Sequence, residues 1–303
     1  MKTVLVTGAS GFIGQQALAP LVARGFTVHA ATGPRQPVVA SDPRVVWHVF
    51  DLLDPAHTHD LLHALRPEYL LHFAWYVEPG KFWNSSENLR WVEASLTLLR
   101  AFASAGGKRV VMAGTCAEYD WSHDGVCVEN HTSLQPATLY GVCKHALHQI
   151  LAGFTTNTGM SYAWGRIFWP YGPSEHPSRL VASVICSLLQ NKPALCSPGD
   201  QLRDYMHTID IADAFVTLLD SQVTGPINIA SGEPVAIKDI VYLIGDQLGR
   251  RDLIRLGALQ AATGDPPIVV ASTNRLRDEA NWLPRFDLSE GIVQTIAWWR
   301  NHL

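Results

Sequence analysis

The first two-thirds of the chain alternates short apolar, β-branched runs with longer stretches whose apolar positions recur every three or four residues. "KTVLVTG" (2–8) is apolar on both faces and ends in glycine, the pattern of a strand buried in a parallel sheet. "GQQALAPLVARG" (14–25) reads as a helix stopped by Gly25 and kinked at Pro20. "FTVHAAT" (26–32), "RVVWHVFD" (44–51), "EYLLHFAW" (68–75) and "KRVVMAGT" (108–115) read as further strands. The stretch "ENLRWVEASLTLLRAFASAG" (87–106) carries apolar residues at helical spacing and stops at Gly106–Gly107. "LYGVCKHALHQILAGFTTNTG" (139–159) is a second long helix, followed by the strand "SYAWGRIFW" (161–169).

Strand, helix and strand in repeating order predict a doubly wound α/β fold, a parallel sheet with helices on both faces joined by right-handed crossovers. The pattern changes after residue 168, where "PYGPSEHPSR" is a loop rich in Pro and Gly. Helices are expected at 179–191, 210–221 and 236–248, with short strands near 194–197, 226–229 and 253–256. We therefore expect a nucleotide-binding domain over 1–168. Residues 169–303 form mainly a second, smaller α/β substrate-binding lobe, with some segments returning to the first domain.

Composition narrows the function. Among 303 residues, 47% are hydrophobic and 17% charged, ordinary values for a soluble globular chain, and the formal net charge is −4. That balance offers no basic footprint for nucleic acid or acidic membranes. No apolar run is long enough to predict a membrane span, and the N-terminus lacks a signal-peptide cleavage pattern. Cys116, Cys127, Cys143, Cys186 and Cys196 are odd in number and scattered, which argues against a disulfide framework and for a reducing, cytoplasmic setting. The close histidine sets, His57/His59 and His145/His148, come without a matching carboxylate or cysteine set, so no metal is expected.

Residues 7–14, "TGASGFIG", place Gly8, Gly11 and Gly14 directly after a strand and at the opening of a helix. This is the context of a dinucleotide-binding Rossmann turn: a sharp bend at Gly8, close approach of a pyrophosphate near Gly11, and close helix–strand packing at Gly14. Ser10, Phe12 and Ile13 belong to the same turn, whose helix N-terminus presents free N–H groups to phosphate. An acidic residue at the end of the second strand would accept the ribose hydroxyls of NAD. Thr32 stands there instead, with Arg35 three residues on, which favours NADP(H) while leaving NAD possible. Asp51, ending the third strand, either accepts a hydrogen bond from the adenine amino group or caps a turn.

Tyr140 and Lys144 form a Y-x-x-x-K pair on one helix face. In a chain with eight Tyr and six Lys, chance supplies about 0.2 such matches, so the pair alone is only suggestive. It gains weight from its company: "LLHFAW", "AGTCAEY", "PATLYGVCK", "GRIFWPYGP", "RDYMHTIDIADA" and "NIASGEPV" follow one another in order. With these motifs the chain resembles the extended short-chain dehydrogenase/reductases of the NAD(P)-dependent sugar-nucleotide epimerase/dehydratase family. The resemblance covers nearly the whole length.

It implies that Tyr140 is the general acid/base, that Lys144 supports it and holds the nicotinamide ribose, and that Thr115 holds the substrate oxygen. A nearby ammonium would lower a phenol pKa that is ordinarily near 10. The resemblance extends the cofactor contacts to Leu52, Phe73 and Ala74. It assigns Tyr76, Cys116, Trp169, Arg179 and Arg203 to the substrate, with Arg203 and Arg179 on its diphosphate; a salt bridge from Arg203 to Asp204 or Asp210 is the competing reading. Trp169 and Trp91 stand where the family commonly has Asn. Trp75, Tyr76, Trp83 and Trp121 are placed to stack on a sugar or base, or to pack as lid or core.

The family's dehydratases carry Asp and Glu after the threonine. Here Cys116 and Ala117 occupy those positions, and Glu118 falls one place too late, on a side chain that points elsewhere. Hydride transfer without elimination remains. Thr32 and Arg35 favour NADPH-dependent reduction of the 4-keto group of a nucleoside-diphosphate 4-keto-6-deoxy sugar. An NAD-dependent epimerase or 4-dehydrogenase is the alternative within the family, and a non-catalytic NADP-binding regulator the alternative outside it. The long helices 87–105 and 140–156 correspond to those that pair in the family's homodimers.

Overall fold

The computed structural model describes residues 2–34, 42–122, 125–261 and 264–303. Its first layer is a seven-stranded sheet in the order β11-β7-β5-β4-β1-β2-β3. The strands are β1 (Lys2–Thr7), β2 (Phe26–Thr32), β3 (Val45–Val49), β4 (Tyr69–His72), β5 (Arg109–Thr115), β7 (Ser161–Ile167) and β11 (Gly225–Ile229). All neighbouring pairs run parallel. β1, read as buried on both faces, is buried from Val4 to Thr7, and β5 is buried at every position, whereas the edge strand β3 is half-buried or exposed throughout. Helices α1 (Gly14–Ala23), α2 (Pro55–Leu65), α3 (Glu87–Ser104), α4 (Leu139–Thr158) and α6 (Thr208–Leu219) cover the two faces. α1 packs on α6 and α3 on both α2 and α4, so the sheet separates two apolar clusters.

The second lobe is built on β10 (Leu202–His207), which pairs antiparallel with β12 (Pro234–Ala236) and parallel with β8 (Trp169–Tyr171) and β14 (Ile268–Ala271). The short β6 (Val126–Cys127) extends β14. β9 (Ala194–Leu195) and β13 (Ile254–Arg255) form a separate pair. Helices α5 (Leu180–Leu189), α7 (Ile237–Leu248) and α8 (Leu288–Arg300) enclose a third apolar cluster.

The expected strand near 226–229 and helix near 210–221 are present, but as β11 and α6 they complete the first sheet. Their sequence position alone would have put them in the second lobe. Helix α1 runs through Pro20 without ending there. Among the described residues no helix is long and apolar enough to cross a membrane.

Candidate active site

The glycine turn is held from below. Thr7, the last residue of β1, shares a 2.6 Å hydrogen bond with His72 Nδ1 at the end of β4, and His72 Nε2 lies 3.0 Å from Ser95 Oγ on α3. Burial, with the Lys144 charge, pushes the His72 pKa down to about 3, so the ring is a neutral bridge. Gly8 takes a positive φ of 68°, and a side chain there would strike the Ala74 backbone nitrogen at 2.7 Å. At Gly14 a Cβ would lie 2.1 Å from the Gly8 carbonyl oxygen, so only glycine lets α1 seat against the turn.

Above this turn opens a cavity of about 680 Å3 lined by Gly8, Ser10, Gly11, Thr32, Asp51, Leu52 and Ala74. Glycine backbone, a few polar groups and apolar walls in one cleft fit a dinucleotide. Ser10 Oγ and Thr32 Oγ1 are 2.5 Å apart. Asp51 accepts from Leu53 N at 2.9 Å, so it caps its turn and also lines the cavity. Phe12, Ile13, Gly14 and Phe73 are not part of the wall. They support it instead: the Phe12 carbonyl accepts from Thr208, Ile13 packs on the core, and Phe73 meets Phe215 edge-on at 5.0 Å. Arg35, the other half of the cofactor argument, lies outside the described residues. Tyr76 faces this cavity, where the sequence placed it against the substrate. Glu87, Arg90 and Trp91 from α3 complete the wall. Of these, sequence reasoning had noted only Trp91, as an exchange for Asn.

The wall residue Trp75 joins the cavity to the candidate catalytic group. Its ring carries Lys144 Nζ at 3.8 Å from the centroid and meets Tyr140 at 6.5 Å. Its indole nitrogen donates to Asn88 at 2.9 Å. Lys144 is buried and donates to the Ala113 carbonyl at 2.8 Å, and burial pushes its pKa down to about 7 against the raising effect of Glu118. Tyr140 is half-buried, with the Thr115 side chain close enough to act on its phenol. Burial raises its phenol above the usual value, against the lowering influence of the Thr115 side chain and, further down, of Arg179. The sequence reading gave a lowering role to the lysine, whose ammonium is here turned to the β5 backbone.

Glu118 explains why Thr115 stands where it does. The fully buried carboxylate accepts from Thr115 N at 2.9 Å, Trp164 Nε1 at 2.8 Å and Arg166 Nε at 3.0 Å. Its side chain points into the protein. It also comes within metal-ligand reach of His145 and His148, with ligand atoms within 4.8 Å of one another. However, its oxygens are already engaged, and the adjacent guanidinium opposes a cation there.

In the second lobe, Arg203 is buried. It pairs with Asp265 at 2.6 Å and lies 5.0 Å above the Trp169 ring. Its partner is thus neither Asp204 nor Asp210: Asp204 accepts from Ser231 and Gly232, and Asp210 from Phe286 N. Arg179 is the residue preceding α5, 3.2 Å from Glu175, whose buried carboxyl is pushed up to about 7. Cys116 is buried, within electrostatic reach of both Tyr140 and Arg203, and burial raises its thiol pKa well above the usual value. Sequence reasoning missed Asp265 and Glu175, which lie on loops with no periodic signal.

The profile of the NAD dependent epimerase/dehydratase family matches residues 4–230. The chain belongs to this family. Among curated members, it is 26% identical to UDP-glucose 4-epimerase of Rhizobium leguminosarum bv. trifolii, covering 98% of this chain and 97% of that one. Among solved structures it resembles the UDP-glucose 4-epimerase of Thermus thermophilus in complex with NAD, at 25% identity and a TM-score of 0.85, covering 99% of this chain and 100% of that one. MoeE5 in complex with UDP-glucuronic acid and NAD gives 28% identity and a TM-score of 0.86 over the same shares. The epimerase/dehydratase scaffold therefore extends over both lobes of this family member, and the fold class read from the pattern of strands and helices is confirmed.

Proposed function

We propose that this chain carries out reversible oxidoreduction at C4 of a nucleoside-diphosphate sugar with a nicotinamide dinucleotide as resident cofactor, the net result being epimerisation at C4. The placing of Tyr140 against Trp75, a wall residue of the glycine-lined cavity, on the same helix as Lys144, carries the reading. A bound nicotinamide dinucleotide supplies the hydride acceptor and donor. Tyr140 takes and returns the proton of the C4 oxygen, which Thr115 orients by its hydroxyl. Lys144 turns from the Ala113 carbonyl to steady the phenolate and the cofactor ribose. Arg203, with Arg179, meets the diphosphate.

The named relatives support the epimerase outcome over net reduction. One observation favours the second reading, an NADPH-dependent 4-ketoreductase of 4-keto-6-deoxy sugars: Thr32, hydrogen-bonded to Ser10, stands where a carboxylate would take the ribose diol. We also propose that the chain pairs with a second copy through α3 and α4, where Leu89, Val142 and Ile150 are 53%, 47% and 45% exposed.

The deciding experiment is incubation of the purified protein with UDP-glucose without added cofactor, following UDP-galactose and identifying the nucleotide released on denaturation. Interconversion with retained NAD is the expected result. Consumption of NADPH on a 4-keto-6-deoxy sugar nucleotide, without interconversion, would establish the ketoreductase reading. A non-catalytic binder would do neither. Tyr140→Phe should lower turnover about 100- to 10,000-fold while the dinucleotide stays bound. Undiminished turnover in that variant would refute the proposal.

A further inference from the structure

The turn between β8 and α5 hides a carboxylate that no step above uses. Gly172 takes a φ of 143° and Ser174 a φ of 66°, and Glu175 N closes the turn by donating to the Gly172 carbonyl at 3.3 Å. Left-handed backbone is uncommon for a residue with a side chain, as at Ser174. Past this turn Glu175 is buried, with 4% exposed. One of its oxygens, Oε1, lies 3.2 Å from Arg179 Nε. The other, Oε2, is closed to water and has no hydrogen-bond partner within the described protein.

A buried carboxylate with an unpartnered oxygen is costly in its charged form. Burial drives the Glu175 pKa up to about 7, and first among the influences that hold it down is Arg179. The other titratable groups in reach are Cys186 on α5 and Tyr205 on β10, whose protons burial and the Glu175 charge both help retain. Neither supplies a positive charge. Arg179 is differently placed. Its side chain is 36% exposed, and its terminal guanidinium nitrogens have no hydrogen-bond partner among the described residues. With Arg203 it acts on the same Tyr205 phenol. The guanidinium thus stands between a carboxylate that needs it and an open side from which an anion can approach.

A diphosphate arriving there competes with Glu175 for that charge. Resting on the reading of the site given above, in which Arg179 meets the diphosphate, we propose that Glu175 is a positioning residue: it holds Arg179 in the empty site and takes up a proton when the diphosphate draws the guanidinium. The proton comes from solvent as Arg179 moves off, and returns there when the ligand leaves. Losing part of a counter-cation and gaining a nearby anion both favour the neutral acid. Binding that takes up a proton strengthens as pH falls and weakens as pH rises through the neutral range. Glu175 therefore makes the grip on the nucleotide sugar pH-dependent without entering the chemistry at C4.

Calorimetric titration of the purified protein with UDP-glucose, and with dTDP-glucose as a second probe, counts the proton when repeated in buffers of different ionisation enthalpy. Neither probe titrates near neutrality, because each phosphate is a singly charged ester. About half a proton should be taken up per bound sugar nucleotide at pH 7.5, and affinity should fall about five- to tenfold from pH 6.5 to 8.5. This count on the unaltered protein depends on no variant folding. Glu175→Gln keeps an oxygen for Arg179 Nε but cannot change charge. Its affinity should be level across that range, with the uptake abolished. A merely structural carboxylate would weaken binding at every pH in this variant and leave the slope. Uptake at Lys144, whose amine also titrates near neutrality, or at exposed His176 would persist in Glu175→Gln. Persistent uptake in that variant, or binding to the unaltered protein with no proton exchanged, would overturn the assignment while leaving C4 chemistry in place. Failure to bind either sugar nucleotide would overturn it together with the reading on which it rests.

Discussion

His148 lies flat on Trp164, ring centroids 5.1 Å apart at 15°, and neither ring nitrogen has a hydrogen-bond partner within the described protein. Burial first, then the Arg166 and His145 charges, push its pKa down to about 3. The unfolded chain binds this proton near pH 6.5, and the folded chain refuses it until about 3. The stability this group allows is therefore complete above pH 6.5 and is lost as pH falls, by about 1.4 kcal/mol per pH unit. His148→Phe should flatten the acid side of the stability profile by about one proton between pH 6 and 4.5, read from urea unfolding at stepped pH. An unchanged slope would show that the ring finds a way to charge. The central residues Tyr140, Lys144 and Thr115 were legible because their relation is local: one helix face and one strand end. Asp265 and Glu175 were not, because a carboxylate on an irregular loop announces no partner until the chain has folded.

Among the elements, the strands of the first sheet were readable as short apolar, β-branched runs, and the long helices because their apolar stripe repeats. β10 escaped notice since Arg203 and Asp204 interrupt its apolar run; both are buried, each with a dedicated set of partners. Helix α2 was missed for its mixed histidines and threonines, although Asp54 caps it with Pro55 in the first turn. Helix α8 carries a capping box between Asp287 and Glu290, a sequence signal that was available and unread. The contact of α1 with the glycine turn makes a sharp prediction. Gly14→Ala places a methyl 2.1 Å from the Gly8 carbonyl and should destabilise the protein by about 1–3 kcal/mol. Gly11→Ala, whose nearest neighbour is 3.1 Å away, should cost less. Thermal unfolding of the two variants side by side checks the order, and equal midpoints would contradict the packing described.

Across the whole molecule, the exposed apolar positions on α3 and α4 lie on one side of the first sheet's helical layer. Paired Val142→Glu and Ile150→Glu substitutions should shift the protein to a monomer in sedimentation equilibrium, with the far-ultraviolet circular dichroism retained. A monomeric unaltered protein would dismiss the pairing. The order of the chain also differs from the order of its layers. The polypeptide leaves the first sheet after β7, builds β8 and α5, crosses β10, and comes back to lay α6 on α1 and β11 beside β7. Arg109, at the start of β5, fastens this return by donating to the carbonyls of Leu218, Leu219 and Val223. A severed N-terminal portion would present a bare strand edge and an uncovered helix. The two lobes therefore cannot be exchanged between relatives as separate modules, and any chimera must carry the returning segment along with the nucleotide half.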